Sequence, residues 1–154
     1  MYIELKDVTK TIKGATVLED VSLRLESGKV CGLQGKNGCG KTMLMRCMCG
    51  LIHPTKGSVS INGEILGKDL SFPRSVGVLI ENPAFIDAYT GFHNLKLLAS
   101  IQGRINDEQI RESIRKVGLD PDDKRKYRKY SLGMKQRLGI AAAIMEEPEI
   151  VILD

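Results

Sequence analysis

The 154-residue sequence predicts an α/β fold, with strands and turns near its start and a helical portion in its second half. Three observations carry this. Short apolar runs at 30–33, 76–80 and 150–153 have the pattern of strands buried on both faces. Alternating stretches at 2–6 and 21–25 suit strands with one buried face. From Thr90 onward, helical periods replace both patterns.

Taken in order, 2–6 and 21–25 are strands, and Ser27-Gly28-Lys29 turns the chain into the buried strand 30–33. A glycine-rich loop at 35–40 leads into a helix over 41–49, stopped by Gly50. Pro54 and Gly57 mark a turn. Asn62-Gly63 between 58–61 and 64–66 is a two-residue hairpin turn, because both residues tolerate positive φ. The next strand, 76–80, ends at Glu81-Asn82-Pro83. Asn106 and Gln109 are spaced as a capping box for a helix with Ile110, Ile114 and Val117 on one face and Gly118 closing it. Ser131 caps a long helix over 132–147 that Pro148 stops, and Asp154 ends the strand 150–153.

Composition narrows the function. At 42% hydrophobic and 27% charged residues the chain can bury a core, which excludes a disordered tail. Aromatics are only 5% with no Trp, a poor supply for stacking on nucleic acid, so small-molecule chemistry is favoured. The longest apolar stretch, 138–145, falls far short of the roughly 18 residues of a membrane span. Net charge is +4, but 124–129 holds five basic residues and the remainder sits at −1, so the patch reads as a solvated surface. Cys31, Cys39, Cys47 and Cys49 show no C-x-x-C spacing and follow no secretory signal, which fits reduced thiols. His53 and His93 are too far apart in sequence to nucleate a zinc site, whereas a metal held by oxygen ligands stays open.

The chemistry is concentrated in Gly35-Lys36-Asn37-Gly38-Cys39-Gly40-Lys41-Thr42, which matches G-x-x-x-x-G-K-[ST] between an apolar run and a helix. Glycines let successive backbone N–H groups turn inward, and the helix N-terminus adds partial positive charge, together an anion cage for phosphates. Lys41 brings a full charge to the outer phosphates and the Thr42 hydroxyl can ligate Mg2+. Asp154, at the carboxyl end of an apolar strand, is the carboxylate such a site needs to anchor a hydrated Mg2+. Ser131 with Gly133 offers a second helix N-terminus suited to an anion, a signal that by itself does not exceed ordinary capping.

The loop at 35–42, the segment Ser131-Leu132-Gly133-Met134-Lys135-Gln136-Arg137 and the strand ending in Asp154 resemble, in order, the Walker A, signature and Walker B elements of ABC-type ATPases. The resemblance extends over essentially the whole chain. It implies a P-loop core with an antiparallel β portion (1–83 and 148–154) and a helical subdomain with the signature helix (about 84–147). It also implies ATP and Mg2+ as cofactors and a head-to-tail pair with a second ATPase subunit, in which Ser131 and Gly133 meet the γ-phosphate of the partner's nucleotide. Further implied are a transmembrane permease as partner, a cytoplasmic place at the inner face of the membrane, and no direct contact with nucleic acid. The stretches Leu79-Ile80-Glu81-Asn82-Pro83 and 130–137 look most like exporters of the bacitracin and lantibiotic resistance type.

The chain departs from the family pattern at several positions. Leu132 stands where the signature has a first glycine, Glu81 where the family has the Q-loop glutamine, and Ile12 where an aromatic stacks on adenine. Glu81 can still face Mg2+ or the attacking water, a catalytic and metal role that adds negative charge near the phosphates. Ile12 offers apolar contact without π stacking. In the family a catalytic Glu follows the Walker B Asp, and a dimer-contact loop and switch His come later. The 154 residues are therefore expected to be C-terminally incomplete, to bind nucleotide and to hydrolyse it near background. The alternatives are a soluble ABC ATPase acting on RNA or DNA through 124–129, and a noncatalytic regulatory fragment.

Overall fold

The computed structural model describes residues 2–154, which divide into two compact units, one up to Arg74 and the other Ser75–Asp154. In the first, β1 (Tyr2–Ile12) and β2 (Ala15–Glu26) form an antiparallel pair joined by Lys13 and Gly14, both at positive φ. Helix α1 (Lys41–Met48) follows, then β3 (Lys56–Ile61) and β4 (Glu64–Ile65), giving one antiparallel sheet in the order β2-β1-β3-β4. The Asn62-Gly63 turn is as the sequence predicts, with φ of 51° and 88°. Ile3, Leu5, Val8, Leu18, Val59 and Ile61 are buried.

The burial of Val8 after Leu5 breaks strict alternation, and a bulge explains it. Leu5 pairs with Leu23 and Val8 with Val21, so β1 advances three residues where β2 advances two. Asp7, at φ 50°, carries the irregularity, and its N–H donates to the Ser22 hydroxyl, which donates back to the carboxylate. Gly57 passes against this bulge, where a Cβ would collide with the Lys6 and Asp7 carbonyls. That close approach, with φ 76°, is why the residue is glycine.

The run 30–33 departs from expectation. It is not a strand, and Val30 and Cys31 are exposed rather than buried. Extended backbone becomes a strand only through ladder hydrogen bonds, and within its unit this run pairs with none of the described strands.

The second unit packs α2 (Gly91–Gln102), α3 (Asp107–Lys116) and α4 (Leu132–Ile144) with a parallel pair, β5 (Val76–Leu79) and β6 (Ile150–Leu153). Leu95, Ala99, Ile110, Ile114, Leu138 and Ala141 form its core with Tyr127 and Tyr130. The Asn106–Gln109 capping box is present in both directions. α4 ends at Ile144, short of the expected Glu147. Pro148 disfavours right-handed α geometry in the residue before it, and Glu147 lies at φ 51°.

β5 and α4 touch at backbone level, since a Cβ on Gly77 would run into the carbonyl of Ala143. Gly77→Ala should therefore destabilise this unit by about 3 kcal/mol through forced separation of helix and sheet, read as a lower urea midpoint. An unchanged midpoint would show that α4 has room to shift. Among the described residues no helix is long and apolar enough to cross a membrane.

Candidate functional site

In the first unit, the loop 35–42 delivers the chain into α1, whose N-terminus is the one helix start among α1–α4 with no capping side chain. Thr90, Asn106 and Ser131 cap the other three. Gly40 occupies the α1 cap position at φ 95°, and the first turn has no acidic residue. A helix start left in this way presents backbone N–H groups and partial positive charge outward. An anion satisfies both.

Glycine is required here for two separate reasons. Gly38 and Gly40 hold positive φ, and a Cβ on Gly40 would sit 2.5 Å from the Val17 carbonyl oxygen and 2.8 Å from Leu18 Cδ2. A Cβ on Gly35 would meet Cys39 Sγ at 2.6 Å. Gly40→Ala is thus expected to weaken anion binding more than about tenfold, since strain of order 1–3 kcal/mol falls on the loop itself. Titration with a fluorescent nucleotide checks this, with circular dichroism to show that the fold persists. Retained affinity would mean that the loop relaxes around the methyl group.

The Lys41 ammonium lies over the loop, donating to the carbonyls of Gly35 at 2.9 Å and Lys36 at 3.0 Å, with Cys39 Sγ 3.9 Å away. Thr42 follows in the first turn, and Asn37 stands at the exposed crest of the loop. Ile12 belongs to the same neighbourhood: its Cα partner is Ala15, two residues before the Val17 that abuts Gly40. It is 36% exposed, leaving an apolar surface open. Cys47 and Cys49 are buried, and burial pushes both thiols up, away from thiolate reactivity.

In the second unit, the parallel strands bring Glu81 and Asp154 to one end of the β5–β6 pair. Leu79 is in register with Leu153, and the Asp154 N–H donates to the Leu79 carbonyl at 2.9 Å. Glu81, two residues beyond Leu79, sits at φ 67°. Both residues are exposed. They are hard oxygen donors of the kind Mg2+ takes, usually one or two carboxylates plus phosphates and water. Among the described residues no group of three His, Cys, Asp or Glu could hold a metal ion by itself.

Ser131 realises the capping role, its hydroxyl accepting from the Met134 N–H at 3.2 Å. The hydroxyl keeps its own proton to donate. Gly133 has open space where a Cβ would point, and Leu132 between them is 71% exposed. The α4 start is therefore a surface that a second molecule can reach.

One feature escaped the sequence reading. A cleft of about 380 Å³ beside α4 is lined by residues including Pro83, Phe85, Asp87, Tyr127, Leu132 and Lys135. Tyr127 anchors it, donating its hydroxyl to the Pro83 carbonyl at 2.7 Å and meeting Phe85 edge-on at 5.3 Å. Tyr127 lies inside the basic run 124–129, where surrounding charge masks a buried aromatic. In the same run the Arg125 guanidinium clasps Asp123 through three bonds, the Arg125 backbone N–H adds a fourth, and together they hold that carboxyl below its ordinary value.

The model of the ABC transporter family matches residues 18–154. The chain belongs to the ABC transporter family. This ABC chain is 51% identical over 152 residues to the uncharacterized ABC transporter ATP-binding protein YybJ of Bacillus subtilis, covering 99% of itself and 70% of that protein. It is 41% identical over 153 residues to the bacitracin transport ATP-binding protein BcrA of Enterococcus faecalis, again over 99% of itself but only 50% of the relative. Among solved structures, the dimeric structure of a bacterial ABC transporter cassette superposes with a TM-score of 0.86 at 25% identity, over 99% of this chain and 73% of that one. The architecture is accordingly the mixed α/β P-loop fold of ABC ATPases, with its antiparallel sheet and helical subdomain. The matched range takes in the loop, Glu81, the α4 start and Asp154, whereas Ile12 precedes it.

Proposed function

We propose that residues 35–42 bind the phosphates of ATP, with Lys41 on the outer phosphates and the N–H groups around Gly38, Cys39 and Gly40 on the inner ones. The observation that carries this is the α1 N-terminus without a capping side chain beneath a lysine ammonium. Thr42, Glu81 and Asp154 are the oxygen donors for Mg2+, which when bound offsets phosphate charge. Glu81 faces the attacking water as well, and Ile12 lies against the adenine.

The whole protein is the ATP-hydrolysing subunit of an ABC exporter that drives a separate permease, with a peptide antibiotic as cargo. The name of the bacitracin transport relative supports the cargo. The dimeric cassette supports a second ATPase subunit, to whose nucleotide Ser131 and Gly133 present a hydroxyl and a helix start. A permease segment docks in the cleft along 82–87, which places the subunit peripherally at the cytoplasmic face. Titration with a fluorescent ATP analogue, with Mg2+ and with chelator, tests the core of this reading. Saturable binding that unlabelled ATP displaces and Mg2+ tightens is expected. No binding in either condition would overturn it.

A further inference from the structure

We propose that Asn82 and Gln136 are positioning residues for Glu81, a side-chain clasp that fixes the turn after β5 to the helix carrying Ser131 and Gly133. This rests on the reading of Glu81 as a ligand for Mg2+ or the attacking water. The clasp itself is a hydrogen bond from Gln136 Nε2 to Asn82 Oδ1 at 3.1 Å, between residues 54 apart in sequence.

The turn has reason to need holding. Glu81 lies at φ 67°, a left-handed conformation that a residue with a Cβ adopts only when its surroundings impose it. Its neighbours on both sides pack on α4. Gly139 leaves no room for a Cβ, which would stand 2.9 Å from Leu79 Cδ1 and 3.0 Å from Pro83 Cβ. The chain before and after Glu81 is thus pressed on one point of the helix. Gln136 is three residues earlier, on the same helix face, and nearer to Gly133. Leu79, Asn82 and Pro83 are therefore each tied to α4, leaving Glu81 little freedom except as part of it.

Two consequences follow. Glu81 keeps a fixed distance from the α4 start, so a partner nucleotide that engages Ser131 acts on the same rigid piece that carries the carboxylate. Asn82 also does this without charge: an aspartate could accept the same bond but would stand beside Glu81 and repel it. Asn82 lines the cleft as well, so anything seated there touches the clasp directly.

The test uses the full-length protein, its steady-state ATP hydrolysis and its Mg2+ dependence, with four variants: Glu81→Ala, Gln136→Leu, their combination, and the exchange Asn82→Gln with Gln136→Asn. Gln136→Leu should lower kcat about tenfold and raise the Mg2+ needed for half-maximal rate, with KM for ATP within about twofold, the pattern of an interaction that matters in the transition state. In the Glu81→Ala background it should cost nothing further, because it acts through that residue. The exchange, which restores the donor, acceptor and total length, should recover at least half of the lost rate. The clasp alone is overturned if Glu81→Ala is impaired while Gln136→Leu is not, if the two losses multiply, or if Gln136→Leu lowers the melting temperature with kcat intact. If Glu81→Ala turns over like wild type, the reading of Glu81 falls and the clasp with it.

Discussion

Lys41→Ala should weaken ATP binding by about 10- to 100-fold, whether or not Mg2+ is present. A charge-assisted hydrogen bond contributes about 1.5–3 kcal/mol, and each 1.4 kcal/mol is about tenfold in affinity. The present geometry shows that the ammonium can serve here. It reaches over the loop to the carbonyls of Gly35 and Lys36, both neutral acceptors. On the proposed reading a phosphate at the α1 N-terminus takes their place, and an anion is a stronger partner for the ammonium than a neutral carbonyl. Lys36→Ala is the control: it removes the same charge from an exposed neighbour whose carbonyl, not side chain, takes part. It should change affinity by less than about threefold, because an exposed cation acts through screened water. Equal binding by wild type and Lys41→Ala would refute the assignment of the loop.

The features legible in the sequence are those whose cause lies within a few residues. Asn62-Gly63 sets its own turn, Asn106 and Gln109 cap each other, and the glycines at 38 and 40 permit positive φ wherever the loop is placed. What was not legible depends on distant partners. The run 30–33 has the composition of a buried strand, yet composition cannot supply the ladder it lacks in its unit. The bulge at Asp7 shifts the alternation of β1 by one residue, and its stabilising contacts, Ser22 and Gly57, come from two other places in the chain. Tyr127 was hidden in the same way, since its packing on Phe85 and Pro83 bridges more than 40 residues.

The candidate site divides along the same line. Gly35 to Thr42 announced itself because a phosphate cradle is one continuous segment, and the neutral cap position at Gly40 is what separates it from ordinary capping. The carboxylates could be proposed singly, but only parallel pairing shows that Glu81 and Asp154 share an end of one sheet. Gln136 belongs to the segment that resembles the family signature, but its tie to Asn82 is invisible until a partner 54 residues away is placed beside a half-buried glutamine.

Asp154→Asn should have a different signature from Lys41→Ala. The substitution keeps the size of the side chain and the backbone N–H bond that ties residue 154 to β5. On the proposed reading it removes one negative charge from the ligands of Mg2+, an ion that proteins hold by only one or two carboxylates. ATP affinity measured in chelator should therefore stay within about twofold of wild type, because the phosphate cradle is untouched. The increment that Mg2+ adds should shrink by about tenfold or more, a loss of roughly 1.4 kcal/mol or more at the metal. Hydrolysis by the full-length protein should fall further, since charge developing on the transferred phosphoryl group depends on the same ion. The two variants together separate two contributions: one removes binding in every condition, the other only the part that needs metal. If Asp154→Asn retains the full Mg2+ increment, the residue is a strand-end aspartate that starts a turn and has no part in holding the ion.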